Sequence, residues 1–353
     1  MSRTWLAAAA CVIGLATACA SSAPATSSPP QSSPEVSPEP GVLVTPPTPV
    51  VLPGTLLVSA PSGEVVWALL NGMYLYRSRD RGSTWEQRPL PPVNVSNELT
   101  EISFIDYNVG WLLATGVPET QCNGEGAAVW GTQDGGQTWE DVSAVDHDHQ
   151  VPAGIGYAQC KESLSFVDAM HGFIGAGDEN RQPTVYRTAD GGRTWAASNL
   201  PDPPGFTSTA GGFTLRAGLV RRFGGTLLVS AQGLQASAEH EFVFRSDDGG
   251  ATWVYAAAVQ DVQLTVTFVT ASHWLELIYP GQSMETTNAG ASWHASASNY
   301  GQAAPIAPTI VFGDPAVGYA TVRGELKRSV DGGLTWSDIK TPGAYEPWII
   351  QGA

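Results

Sequence analysis

Positive charge is scarce in this 353-residue sequence, which has 17 lysines and arginines against 33 acidic residues and a formal net charge of −16. A surface this acidic repels phosphate backbones, so the composition argues against nucleic acid as a partner. Beyond the N-terminus no apolar run is long enough to form a transmembrane helix. With 39 Gly and 26 Pro, the chain is also too rich in turn residues for a helical bundle. The 12 Trp can still fill a core, so we expect most of the chain to fold.

The first 19 residues have the features of an export signal. Arg3 supplies a positive start, an apolar stretch follows, and small residues precede Cys19. The tetrapeptide Ala16-Thr17-Ala18-Cys19 resembles a bacterial lipobox, although Ala16 stands where that motif usually has Leu. We therefore expect residues 1–19 to be a lipoprotein signal peptide, and Cys19 to carry the lipid that anchors the protein on the extracytoplasmic face of the cell membrane. The alternative is ordinary secretion after cleavage near Ala18.

Residues 20–53 are dominated by Ser, Pro, Ala and Thr and contain little that could be buried in a core. Segments of this composition stay extended, so we expect a disordered linker that tethers a folded domain to the anchor. The folded domain is expected to cover residues 54–353.

Four cysteines are present in the sequence. Cys11 leaves with the signal peptide and Cys19 would carry the lipid, so that Cys122 and Cys160 remain. Two cysteines in an exported domain most simply form a disulfide. The alternative is a pair of unrelated thiols.

One eight-residue pattern, Ser/Thr-x-Asp-x-Gly-x-Thr/Ser-Trp, occurs six times in residues 78–336. It resembles the Asp-box, or bacterial neuraminidase repeat, which in its families forms the turn between the third and fourth strands of a β-propeller blade. The residue types suit such a turn, because an Asp can accept backbone N–H groups, a Gly can adopt positive φ and a Trp can bury a large ring. The acidic or amide positions are Asp80, Asp134, Asp190, Asp248, Asn288 and Asp331, and the aromatic positions are Trp85, Trp139, Trp195, Trp253, Trp293 and Trp336.

A second pattern, Phe-x-Asp-x-x-x-Gly-aromatic, lies upstream of three of these turns, at residues 104–111, 166–173 and 312–319. Together the two patterns resemble the photosystem II stability/assembly factor family, over most of residues 54–340. The resemblance implies an all-β fold, a single β-propeller with four-stranded antiparallel blades. The acidic composition and the lipoprotein signal do not suggest photosynthesis, so we expect the architecture of that family and not its role.

Six repeats predict six blades. Seven are possible if residues 207–222 form extra strands, or if residues 42–52 and 348–350 close an additional sheet. Propeller rings usually close by pairing both chain ends within one blade, and residues 346–350 are a candidate for that closing strand.

The Asp-boxes indicate sialidase as the enzyme class to consider, because the motif was named from that family. Its chemistry needs three arginines on the substrate carboxylate, a Tyr–Glu nucleophile pair and an Asp. The arginines here are few, and four of them recur in register immediately before a box, which indicates a structural role. No catalytic residue and no cofactor are predicted. The four arginines are Arg77, Arg187, Arg245 and Arg328.

In a propeller, the loops between strands two and three and the connectors between blades leave on one side, which we call the insert face. The box turns leave on the opposite side, which we call the box face. Five long segments are assigned to the insert face, and they are either binding loops or tolerated insertions. They are residues 116–126, 141–161, 177–183, 201–212 and 232–240, with Cys122 and Cys160 both on this face.

Candidate binding residues on the insert face are Tyr157, His147, His149, Glu179 and Arg181. The run Asp146-His147-Asp148-His149 has metal-ligand chemistry, but neighbouring residues alternate in direction, so an exposed acidic loop is the better interpretation and no metal site is predicted. We expect a non-enzymatic module that binds an envelope or membrane protein or another envelope ligand. The alternative is a divergent sialidase-like glycosidase or a carbohydrate-binding protein, which exposed rings at Tyr157, Phe206 and Trp130 would favour.

Overall fold

The protein is described by a computed structural model that covers twelve stretches of the chain. Over these residues the fold is all-β, and the strands form six separate sheets. No helix within them is long and apolar enough to cross a membrane. The signal peptide, Cys19, the linker and residues 346–350 lie outside the described part. The described residues are 55–94, 98–116, 122, 125–149, 154–177, 182–208, 213–235, 238–259, 266–277, 283–301, 310–322 and 325–339.

The first three sheets are four-stranded antiparallel meanders, each built from strands that follow one another in the chain. We call them blades 1 to 3. Blade 1 holds β1 (Leu56–Ser59), β2 (Val66–Leu70), β3 (Tyr74–Ser78) and β4 (Glu86–Arg88); blade 2 holds β5 (Glu98–Phe104), β6 (Gly110–Gly116), β7 (Ala127–Thr132) and β8 (Glu140–Val145); blade 3 holds β9 (Cys160–Phe166), β10 (Gly172–Gly177), β11 (Thr184–Thr188) and β12 (Ala196–Asn199).

Blades 4 to 6 repeat the meander, with one irregularity in blade 4. Blade 4 holds β13 (Phe213–Ala217), β14 (Arg221–Phe223), β15 (Thr226–Gln235), β16 (Ala238–Ser246) and β17 (Val254–Ala258); blade 5 holds β18 (Thr267–Phe268), β19 (Trp274–Glu276), β20 (Met284–Thr286) and β21 (His294–Ala295); blade 6 holds β22 (Ile310–Phe312), β23 (Gly318–Val322), β24 (Glu325–Ser329) and β25 (Ser337–Ile339).

The prediction of six blades is therefore confirmed. The described residues of the 207–222 segment do not add a seventh, because β13 and β14 both pair with β15 and together form one interrupted first strand. The interruption falls at residues 218–220, where the N–H of Gly218 bonds to the carbonyl of Ser230 at 2.7 Å.

The box turns are held by the hydrogen bonds that their residue types allow. In blade 3 the Thr188 hydroxyl accepts the N–H of Gly192 at 2.9 Å and donates to the Asp190 carboxylate at 2.8 Å. The same carboxylate accepts both the N–H and the hydroxyl of Thr194. In each of the other five turns the N–H four residues on donates in the same way to a side-chain oxygen, which belongs to Asp80, Asp134, Asp248, Asn288 or Asp331.

The Phe-x-Asp-x-x-x-Gly pattern also has a steric basis. In blade 2 the Asp106 carboxylate accepts the N–H groups of Asn108 and Val109, which closes the turn. The ring of Phe104 lies so close over Gly110 that an added Cβ would come within 2.0 Å of it. Phe104 also meets the edge of the box residue Trp139, with ring centroids 6.3 Å apart. The two repeated patterns thus pack against each other within one blade.

Six apolar clusters form the core, one at each junction between neighbouring blades. The junction of blades 6 and 1 closes the ring by packing, since Val311 and Tyr319 contact Leu56 and Val58 in one cluster. The Tyr319 hydroxyl also donates to the carbonyl of Gly63 at 3.2 Å. In the described residues each blade is complete with consecutive strands, and no blade combines strands from both chain ends.

Candidate functional site

The first strands of the blades surround the propeller axis. Their side chains link one blade to the next, because the Ser103 hydroxyl accepts the N–H of Phe166 at 2.7 Å and the Ser165 hydroxyl accepts that of Val220 at 3.2 Å. At the insert-face end of the axis the first strands of blades 3 to 6 and the β15–β16 hairpin enclose a cavity of about 570 Å³, which we call the axial cavity. A smaller cavity of about 270 Å³ lies towards the box face and shares Leu219 and Arg221 with it.

The axial cavity holds an acidic and a basic side chain as a pair. Arg216 Nη1 lies 3.8 Å from Glu162 Oε2. Burial raises the pKa of Glu162, while the Arg216 charge opposes that shift. Arg221, which lines both cavities, donates from Nη2 to the carbonyl of Phe312, and burial lowers the pKa of its guanidinium. The cavity thus offers acidic and basic side chains together.

Two leucines are exposed in the same cavity. Leu219 is 37% exposed and Leu234 is 47% exposed, although both line the cavity wall. Leu234 lies directly opposite Glu239 near the tip of the β15–β16 hairpin. This hairpin has strands of ten and nine residues, against five to seven in the corresponding strands of blades 1 to 3. It therefore presents an aliphatic and an acidic side chain together at the mouth of the cavity.

The wall formed by β9 is strained and held by carboxylates. Ser163 has φ 65°, a left-handed conformation that a non-glycine residue rarely adopts, and the pairing of β9 with β10 shifts register beside it. Next to it, Glu101 accepts the N–H of Leu164 at 2.8 Å. Burial raises the pKa of Glu101 to about 7. These contacts fix the segment that carries Glu162.

Two further buried glutamates tie neighbouring blades in the same way. Glu125 accepts the N–H of Lys161 at 2.8 Å, and Glu241 accepts that of Val266 at 3.1 Å. Burial raises the pKa of Glu241 to about 8. Because both carboxylates are bonded to the backbone of the next blade, we interpret them as structural ties.

The described residues that the sequence singled out for binding, His147, His149 and Tyr157, lie outside the axial cavity. The rings of His147 and Tyr157 meet edge to face with centroids 6.0 Å apart. Asp146 accepts the backbone N–H of His149 at 2.7 Å and contacts its ring at 2.9 Å, so the acidic run is occupied in its own turn. None of these side chains lines the axial cavity. Glu179 and Arg181 lie outside the described residues.

The aromatic residues considered as a glycan platform are partly covered. Phe206 packs against His240 and Phe242, with ring centroids 4.6 and 4.9 Å away. Trp130 packs against the core cluster between blades 1 and 2. Tyr157 likewise packs against the cluster between blades 2 and 3.

Cys122 and Cys160 are joined by a disulfide with Cα atoms 5.1 Å apart, which confirms the predicted pairing. The bond connects the segment between β6 and β7 to the first residue of β9. It thus links blade 2 to the strand that carries Glu162.

Two other expectations can be compared with the structure. Residues 232–240 were expected to be a loop insert, but most of them extend the strands β15 and β16, because both arms can continue the backbone pairing. Two of the four arginines before the boxes bond to the neighbouring blade, which agrees with a structural role for those two. Arg77 donates to the carbonyl of Tyr107 in blade 2 at 3.0 Å, and Arg328 donates to that of Arg81 in blade 1 at 2.7 Å.

Sequence reasoning missed the axial cavity. The available signal was an acidic residue in the first strand of one blade and a basic residue in the first strand of the next, at Glu162 in β9 and Arg216 in β13. The pairing of Glu162 with Arg216 depends on the contact between neighbouring blades, which sequence periodicity does not reveal.

Comparison with family models and with curated proteins finds no match. Among solved structures, YCF48 bound to D1 peptide is similar at 18% identity and TM-score 0.45, covering 80% of this chain and 95% of that one. YCF48 from Cyanidioschyzon merolae is similar at 18% identity and TM-score 0.47, covering 82% and 86%. The α-L-arabinofuranosidase Arb93A from Fusarium graminearum is similar at 11% identity and TM-score 0.45, covering 84% and 96%. Similarity at this level does not distinguish a binding protein from an enzyme.

Proposed function

We propose that this chain is an exported, lipid-anchored propeller that binds an envelope or membrane protein at the mouth of the axial cavity and catalyses no reaction. The observation that carries the proposal is the exposure of Leu219 and Leu234 beside the Glu162–Arg216 pair. Apolar side chains surrounded by charged ones match the core and rim of a protein interface. A partner would cover the leucines and meet the charges at the edge.

The expected linker, residues 20–53, and the lipid anchor at Cys19 would place the propeller near a partner in the membrane. The N-terminal end of β1 lies at the insert-face end of the propeller, since first strands begin on that face. Residues 20–53 are 34 residues, and an extended Pro-rich chain rises about 3.1 Å per residue, which gives a reach of about 100 Å. Such a tether from Cys19 would let the insert face meet proteins that emerge from the same membrane.

The proposal is tested by co-purification from detergent-solubilised membranes, with partners identified and quantified by mass spectrometry. Leu234→Glu should lose the partner that the wild-type protein retains. Leu334→Glu is the matched control, because Leu334 is 48% exposed but lies in the box turn of blade 6 on the opposite face. Equal partner recovery in both variants would refute binding at the axial cavity.

The location of the protein needs its own measurement. Labelling with an alkyne-bearing fatty acid should mark the wild-type protein and not the Cys19→Ala variant. Absence of label on the wild-type protein would refute the lipid anchor and leave secretion as the alternative.

A glycosidase is the second candidate, favoured by the presence of two carboxylates, Glu162 and Glu239, in one cavity. Burial raises the pKa of Glu162, as a general acid requires. Turnover of fluorogenic glycosides that is lost in Glu162→Gln with an unchanged circular dichroism spectrum would establish this alternative over the binding module.

A further inference from the structure

Cys122, Glu125 and Cys160 form a compact buried cluster between blades 2 and 3. Their ligand atoms, two Sγ and one carboxylate oxygen, all lie within 4.8 Å of one another. The three residues are 1%, 2% and 5% exposed. Only this group of three or more His, Cys, Asp or Glu residues in the described part of the chain has ligand atoms so close together.

We propose that this cluster becomes a metal site when the disulfide is reduced, and that it then binds a borderline-soft divalent cation such as Zn²⁺. Two thiolates and one carboxylate are ligands that Zn²⁺ accepts, with a water in the fourth position of a tetrahedral site. The Glu125 carboxylate oxygen already lies within 4.8 Å of both Sγ atoms, so after reduction the two sulfurs need only move apart to admit the metal.

The redox step requires a dithiol reductant. The reductant transfers two electrons and two protons to the protein, which breaks the bond between the two Sγ atoms and leaves two thiols, while the reductant closes its own disulfide. Zn²⁺ then displaces both thiol protons and forms two Zn–S bonds.

The surrounding charges balance this site. Two thiolates and a carboxylate contribute −3, and Zn²⁺ contributes +2. The remaining charge is matched by the ammonium group of Lys161, which is 4% exposed and lies 3.4 Å from the carbonyl oxygen of Glu125. The neighbouring carboxylate of Glu162 has its own partner in Arg216.

The carboxylate is also oriented in advance. Glu125 Oε1 accepts the N–H of Lys161, the residue that follows Cys160. We assign the other oxygen, Oε2, to the metal. A hydrogen bond to one oxygen of a ligating carboxylate is a common way to fix its direction in metal sites. Blade 2 and β9 would then stay connected in both redox states, by a disulfide or by a metal.

Cobalt(II) provides a direct test on the purified full-length protein. The protein is reduced with a phosphine, its fold is checked by near-ultraviolet circular dichroism, and Co²⁺ is titrated anaerobically. We expect a thiolate-to-cobalt charge-transfer band and intense visible d–d bands that saturate at one equivalent and disappear when Zn²⁺ is added. The oxidised protein should give neither band.

Variants assign the ligands. Cys122→Ser should lose the charge-transfer intensity of two thiolates, and Glu125→Gln should weaken Co²⁺ binding by ~10-fold or more, since even groups that only support ligands contribute that much. A double variant, His147→Ala with His149→Ala, is the control for metal held by the exposed histidines and should bind as the wild type does.

Three results would overturn the proposal. The first is a folded, reduced wild-type protein without a charge-transfer band. The second is loss of the near-ultraviolet spectrum on reduction, because no scaffold would then hold the ligands. The third is a Glu125→Gln variant that binds Co²⁺ with unchanged affinity and spectrum.

Discussion

The junction of blades 4 and 5 lacks a hydrogen bond that two other junctions have. Trp195 Nε1 donates to the Ser143 hydroxyl at 3.2 Å, and Trp253 Nε1 donates to the Ser198 hydroxyl at 3.1 Å. Strand register places Ala257 at the position of these serines, because Ser143, Ser198 and Ala257 each pair with a valine of the third strand. Trp293 Nε1 is correspondingly buried without a hydrogen-bond partner in the described structure.

Ala257→Ser should therefore stabilise the propeller. The new hydroxyl can accept from Trp293 Nε1 and donate to the carbonyl of Gly290, as the Ser198 hydroxyl donates to that of Gly250 at 2.8 Å. A net hydrogen bond contributes about 0.5–1.5 kcal/mol, and a buried unsatisfied donor costs about 1–3 kcal/mol. After the cost of burying a hydroxyl, we expect the free energy of unfolding to rise by about 1 kcal/mol.

Urea denaturation followed by tryptophan fluorescence measures the change. Ser198→Ala is the reciprocal control, and it should lower the free energy of unfolding by about 1–2 kcal/mol, because it leaves Trp253 Nε1 and the Gly250 carbonyl without their partner. A destabilised Ala257→Ser protein together with a destabilised Ser198→Ala protein would refute the equivalence of the two positions.

Three further predictions concern stability. Ala289 has φ 57° where four other boxes have glycine. Ala289→Gly should therefore raise the free energy of unfolding by about 0.5–1 kcal/mol in urea denaturation, and a decrease would show that the alanine backbone is not strained. Loss of the Cys122–Cys160 bond, which spans 38 residues, should lower the free energy of unfolding by about 2–4 kcal/mol. The change is measured on Cys122→Ser under metal-free conditions, and an unchanged urea midpoint would exclude a structural role for the bond. Burial raises the pKa of Glu241 from 4.5 to about 8, so the folded state binds this proton more tightly than the unfolded state does. The free energy of unfolding should therefore be highest below pH 4.5 and decline progressively up to about pH 8. Glu241→Gln should flatten that decline in denaturation curves across this range, and an identical pH dependence in both proteins would contradict the assignment.

The number of blades could be predicted from the sequence because each blade repeats its own local chemistry. Asp190 bonds within five residues of chain, and Phe104 lies over Gly110 in the same turn, so each pattern specifies its conformation without distant contacts. The disulfide was predictable for a related reason, since both cysteines fall in segments that leave a blade on the same side.

The axial cavity could not be predicted in this way. Glu162 and Arg216 meet across a blade junction, and Leu219 is exposed because the first strand of blade 4 is interrupted at residues 218–220. The length of the β15–β16 hairpin was also missed. Residues 232–240 contain a glycine and mixed polar residues, which resemble an insert until the pairing of Leu234 with Glu239 is seen.

Site-specific photo-crosslinking tests the central claim most directly, with benzoylphenylalanine in place of Leu234 or of Leu334 in intact cells. The two side chains are 47% and 48% exposed and lie on opposite faces. If the mouth of the axial cavity binds a partner protein, the probe at position 234 should yield one dominant adduct that the probe at position 334 does not. The same adducts from both positions, or none from position 234, would contradict a binding site on the insert face.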